Sequence, residues 1–178
     1  MKTILFNENY GLRSAVINGR KTMTRRLMKP QPSWVSGDDK MLNDSKPPRY
    51  KLGEVVAIAQ PYETFMTEKE ICERGLLNSA GTHNSMFAKS SLMPHHIKIT
   101  GITVERLQAC SDDDCMKEGI TEFVIGNYTY DRHSKLPFNK VLFGSPREAF
   151  AALIDKVSGK GTWQSNPWCF CYTFKLID

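Results

Sequence analysis

Apolar positions along the chain fall into short runs of two periods. Between residues 9 and 18, Leu12, Ala15 and Val16 recur at i, i+3 and i+4, the spacing of one helix face, and Gly19 stands where a left-handed residue ends a helix. Residues 22–28 predict an extended segment. Pro30 and Pro32 then interrupt regular structure, and a polar loop with Trp34 isolated inside it runs to Pro47-Pro48. Trp34 reads as an anchor packed on the fold in preference to a base-stacking residue. Residues 54–59, Glu-Val-Val-Ala-Ile-Ala, predict a buried strand entered from Gly53.

The second half carries clearer punctuation. Thr67 followed by Glu70 predicts a capped helix over 67–74, and residues 77–91, rich in Ser, Asn, Gly and His, predict a long loop. Ile97/Ile99 and Ile102/Val104 predict two short strands on either side of Gly101. Ser111 predicts the cap of a short helix over 112–117 that closes at Gly119. Ser145-Pro146-Arg147-Glu148 joins a cap, a first-turn proline and a glutamate three residues on. It opens a helix predicted to bury Phe150, Leu153, Ile154 and Val157 and to stop at Gly159. Trp168, Phe170, Tyr172, Phe174 and Leu176 alternate strictly, the period of a strand with one face in a core. Cys169 and Cys171 fall on its other face as small apolar fillers.

Short strands punctuated by helices, without a βαβ rhythm, predict an α+β fold on a mixed or closed β-sheet. No repeat or linker divides the 178 residues, which read as one domain with loop insertions near residues 30–48 and 60–95. The longest apolar run, residues 149–154, is far too short to span a bilayer, and no signal-peptide core follows Lys2. Five cysteines, odd in number and without a CxxC pair, suit free thiols in a reducing cytoplasm. The four histidines are scattered, and His95 and His96 alternate in direction on an extended chain. Neither a metal site nor a cofactor is expected.

Charge changes this picture in one place. The net charge is +5, yet residues 9–37 hold no Asp or Glu and six of the 24 Lys and Arg: Arg13, Arg20, Lys21, Arg25, Arg26 and Lys29. The 18 basic residues elsewhere are outnumbered by 19 acids, so the whole excess belongs to this stretch. Such a local excess attracts anions and phosphates. Its densest part is Gly19-Arg20-Lys21-Thr22-Met23-Thr24-Arg25-Arg26. Arg20, Arg25 and Arg26 offer planar forks for phosphate or base edges, and Lys21 a phosphate contact or, if desolvated, a general base. Thr22 and Thr24 offer hydroxyls, of which one beside such a lysine is a possible nucleophile. From residue types alone, a phosphate-binding turn is the more economical reading than a catalytic dyad.

This motif after a short helix resembles the G-R-K-T-x-T-x-R signature of ASCH domains, members of the PUA-like superfamily. Tyr50-Lys51-Leu52-Gly53-Glu54-Val55 is similar to the turn into a family strand. Residues 102–107, followed by Ser111-Asp112-Asp113-Asp114-Cys115-Met116-Lys117-Glu118-Gly119-Ile120, resemble the family's strand and short acidic helix ending in Glu-Gly. Asn166-Pro167-Trp168 before a long strand fits the larger, phage-like branch. The resemblance implies a small PUA-like β-barrel of mixed sheet with flanking helices. It also implies a cleft lined by the motif and partners among RNA and modified nucleosides or nucleotides; from the short apolar runs, no membrane partner is expected.

Some bacterial ASCH proteins are amidohydrolases that remove acetyl from N4-acetylcytidine with a lysine, a threonine and a glutamate. By motif these fall on Lys21, Thr24 and Glu118. For both Lys21 and Thr24 to reach one cleft, Lys21 must sit in the turn before the strand begins. The primary expectation is a binder of RNA, nucleoside or nucleotide through Arg20, Lys21, Thr22, Arg25 and Arg26. The alternatives are an amidohydrolase on acylated nucleosides and a protein-interaction module.

Overall fold

The computed structural model describes residues 1–32, 46–130 and 141–178, so the Trp34 anchor and most of the proline-bounded loop lie outside the described residues. The architecture is mixed α+β. Five strands form one sheet in the order β1 (Thr3–Ile4), β3 (Val55–Ile58), β4 (His96–Arg106), β7 (Trp168–Leu176), β2 (Met23–Leu27). Only β1 and β3 run parallel; the other neighbours are antiparallel. A separate hairpin pairs β5 (Thr121–Val124) with β6 (Asn127–Thr129).

The expected closed barrel is not formed by strand pairing among the described residues: the ladder ends at β1 on one side and β2 on the other. A side chain joins the two edges instead. Arg26 of β2 donates from Nη2 to the carbonyl of Leu5, just past β1, at 2.6 Å.

The two long antiparallel strands organise the core. On β7, Phe170, Tyr172 and Phe174 bury one face and Cys169 and Cys171 the other, while Trp168 stays half-buried with Arg106 over its ring. Burial on both faces explains why β7 reads as an aromatic stripe interleaved with small apolar residues. β4 is one strand of eleven residues and not two. Its pairing with β7 shifts register between Ile99 and Gly101, and a Cβ at Gly101 would stand 2.5 Å from Thr173 Oγ1. Glycine here admits a neighbouring side chain across the ladder without breaking the strand.

Helices α1 (Leu12–Ile17), α3 (Asp112–Lys117) and α4 (Pro146–Ser158) supply Leu12, Val16, Cys115, Phe150, Leu153 and Ile154 to the main core; α5 (Thr162–Ser165) follows α4. Val157, expected inside, is 38% exposed on the last turn of α4. Ser145 caps α4 through the Glu148 amide, but Glu148 returns its bond to Gly144 N instead of the cap residue. A second, smaller cluster of Ala57, Tyr62, Ile71, Leu76 and Met93 lies under α2 (Glu68–Glu73), which opens on the Thr67–Glu70 capping box. β3 divides the two clusters: Val56 and Ile58 join the main core and Ala57 the second. Its unbroken apolar run needs no more explanation than that.

Candidate functional site

Gly19, at φ +69°, ends α1, and the amides of Arg20 and Lys21 both donate to the Ala15 carbonyl at 2.9 Å. This doubled bond tightens the chain into a turn that places Lys21 two residues before β2 begins. Thr22 N donates to Lys117 O at 2.9 Å, tying the turn to the last residue of α3. Helix α3 is fixed at its own start by a Ser111–Asp114 capping box and gives way at Glu118 to Gly119, at φ +106°. A left-handed residue is needed there to reverse the chain, and a Cβ on Gly119 would stand 3.6 Å from Lys21 Cδ. The Glu-Gly pair thus delivers a carboxylate and reverses the chain beside the lysine stem.

Lys21 and Glu118 meet inside the protein, each about 3% exposed. Lys21 Nζ donates at 2.6 Å to Glu118 Oε2 and at 2.6 Å to the Glu118 carbonyl. Burial pulls the Lys21 pKa below its ordinary 10.5, and Glu118 offsets only part of that effect, while Arg26 and Arg25 add to it. Thr24 lies on β2 opposite Tyr172, and Lys21, Thr24, Arg26 and Glu118 all line one cleft of about 980 Å³. The cleft lies beside the gap between the sheet's edges, with Leu5 and Phe6 from the β1 side and Thr24–Leu27 from β2.

Arg25 lines the same cleft, but its guanidinium is consumed by the protein. Its Nη2 lies 2.7 Å from Glu105 Oε1 and 3.3 Å from Asp114 Oδ2, and its Nη1 lies 3.3 Å from Glu118 Oε1. Burial opposes this charge, but Glu118, first among its partners, and Glu105 hold the guanidinium above its ordinary range. Arg25 therefore positions Glu118 and clamps β2 to α3, where residue type alone suggested a ligand contact. Arg26 differs: beyond its bond to Leu5 O and its place over the Phe6 ring, its Nε is buried with no partner among the described residues. Burial lowers its pKa. Arg20 and Thr22 do not line the cleft, because the tight turn and its backbone bonds send Lys21 inward and its neighbours elsewhere.

Sequence spacing gave no sign of Glu105 and Asp114 as partners of Arg25, since they lie 80 and 89 residues away. It equally missed Phe150, Leu153 and Ile154 of α4 and His83, Asn84, Ser85 and Met86 from the 77–91 segment, all of which line the cleft. No group of His, Cys, Asp and Glu suited to a metal occurs among the described residues, and none of their helices is long and apolar enough to cross a membrane.

No family model matches the chain. No curated protein matches it either. Among solved structures, it is similar to a protein of Enterococcus faecalis V583 described under the family name DUF984. The identity is 15% and the TM-score 0.38, over 94% of this chain and 67% of that one. A likeness that slight defines neither family nor activity.

Proposed function

We propose that this chain is an ASCH-type protein of the PUA-like group. On this proposal its cleft takes a nucleoside-sized ligand and hydrolyses an acyl amide on the base, with N4-acetylcytidine as the reference substrate. The observation that carries the reading is the buried Lys21–Glu118 pair on the same cleft as Thr24. Desolvation favours the neutral amine of Lys21, the form able to take a proton. In the reaction, Lys21 Nζ takes the Thr24 proton as Thr24 Oγ1 bonds to the acyl carbon. Glu118 passes that proton from Lys21 to the departing nitrogen as the carbon–nitrogen bond breaks. Water, deprotonated by Lys21, then releases the acid, and Lys21 returns the proton to Thr24.

A binding-only protein is the second reading, favoured by the two short bonds that hold the Lys21 ammonium to Glu118. RNA bound through the basic motif is less well supported, since Lys21 and Arg25 already share a buried acidic partner in Glu118. The deciding experiment follows acetate release from N4-acetylcytidine by the purified protein, with cytidine binding measured by calorimetry. Thr24→Ala is expected to abolish release while keeping cytidine affinity, and Thr24→Ser, which restores a hydroxyl, to recover part of it. Cytidine binding without acetate release in the wild type establishes the binder; absence of both removes the nucleoside reading.

A further inference from the structure

We infer that residues 83–86 form the specificity wall of the cleft, and that Met86 selects ligands by packing against a flat, uncharged aromatic ring. This rests on the nucleoside reading above and concerns which substrates that site admits. The segment is polar enough in sequence to pass for a loose loop, but it is built as a fixed support. Three short 3-10 turns, Ala80–Thr82, Ser85–Phe87 and Ser90–Leu92, follow one another. They rest on the second hydrophobic cluster, in which Tyr62 is fully buried.

Each end of the wall is pinned. Before it, Thr82 Oγ1 donates to Leu76 O at 2.6 Å, and Gly81 sits so close to Tyr62 that a Cβ there would stand 2.8 Å from Tyr62 Cε2. After it, Lys89 N donates to the Tyr62 hydroxyl at 2.9 Å. Within it, His83 Nδ1 lies 2.6 Å from Glu63 Oε2, and Met86 N donates to Asn84 Oδ1 at 2.9 Å. The Met86 backbone is therefore set, while its side chain is 70% exposed.

A single exposed apolar side chain is ordinary. Met86 differs because it lines the cleft that also holds Lys21, Thr24 and Glu118, whereas Phe87, exposed on the same turn, does not. The chemistry near Lys21 is already committed: Phe6 lies under Lys21 and Arg26, and Phe150 under Arg25. Met86 brings a polarizable thioether without a charge partner, a group that packs favourably on aromatic rings. The complementary ligand feature is the face of a nucleobase, which a sugar or an aliphatic amide lacks.

The test compares wild type, Met86→Ala and Phe87→Ala for hydrolysis of N4-acetylcytidine and of N-acetylbutylamine, with calorimetric binding of cytidine. Phe87 is the control: it is 61% exposed on the same turn and outside the cleft lining. Met86→Ala is expected to raise KM for N4-acetylcytidine and Kd for cytidine by about three- to tenfold. The same variant should leave kcat, the aliphatic amide and the unfolding temperature unchanged, and Phe87→Ala should change nothing. Equal cytidine affinity in wild type and Met86→Ala overturns the inference while leaving the nucleoside site standing. An equal loss in both variants overturns it as well, because the loop's conformation would then be responsible. A wild type that binds no cytidine and cleaves no N4-acetylcytidine overturns the inference together with the reading beneath it.

Discussion

Lys21 is the residue on which folding and chemistry meet. Its ammonium is removed from water, and its folded-state pKa lies below the ordinary 10.5, with desolvation the main cause and Glu118 the chief opposing influence. Between that lowered value and 10.5 the unfolded chain holds a proton that the folded chain has released. The unfolded state thus binds more protons in this window, and linkage makes the Lys21 contribution to stability rise with pH across it. Below the lowered pKa the contribution is smallest, since the buried charge must then be carried. Turnover through neutral Lys21 should climb through the same lowered pKa. Urea unfolding of wild type and Lys21→Met over a series of pH values below 10.5 checks the first effect, and the pH profile of kcat the second. Parallel stability profiles for the two proteins would show that Lys21 titrates no differently folded and unfolded.

At the scale of elements, what the sequence disclosed was local. Gly19 as a left-handed stop, the Thr67–Glu70 box, the Ser111 cap and the alternation of β7 depend on residues a few positions apart, and each is found where spacing placed it. Gly101 marks the limit of that logic. A glycine between two short apolar alternations reads as a turn, yet the chain runs straight through as β4, because the relevant neighbour is Thr173 across the ladder. Adding a methyl group there forces Thr173 Oγ1 aside, and overpacking of this kind costs about 1–3 kcal/mol. Gly101→Ala is therefore expected to lose that much in urea unfolding. Thr173→Ala should recover most of it in the double variant, since the added Cβ would then meet only the Cβ at 3.8 Å. Strict additivity of the two substitutions would place the strain elsewhere.

At the scale of the whole molecule, the charge map is the part that the linear sequence could not convey. Residues 9–37 contain no acid, but the fold brings acids to them: Glu8 to Arg13 at 3.5 Å, Glu118 to Lys21, and Glu105, Asp114 and Glu118 to Arg25. Most of these partners lie some 80 to 97 residues away, a separation no spacing rule reaches. Three of the six basic residues of the acid-free stretch, Arg13, Lys21 and Arg25, thus have acidic partners, and Arg25 holds β2 against α3 and sets Glu118 in the cleft. Reversing Arg25 to Glu would place a fourth carboxylate among three, so that variant reports on folding before it reports on any ligand. Salt provides the cleaner measurement. A protein that neutralises phosphates releases counterions, and its affinity falls with a slope of about −0.7 per contact in a log–log plot for single strands. A neutral nucleoside held by Lys21, Glu118, Arg26 and the Met86 side chain displaces few counterions. Cytidine affinity is accordingly expected to change less than about twofold between about 50 and about 200 mM salt, and a short single-stranded RNA to bind no more tightly than cytidine. A steep salt slope for RNA, with affinity well above that of cytidine, would mean that basic groups outside this cleft govern binding, and the small-ligand reading of the molecule would have to be given up.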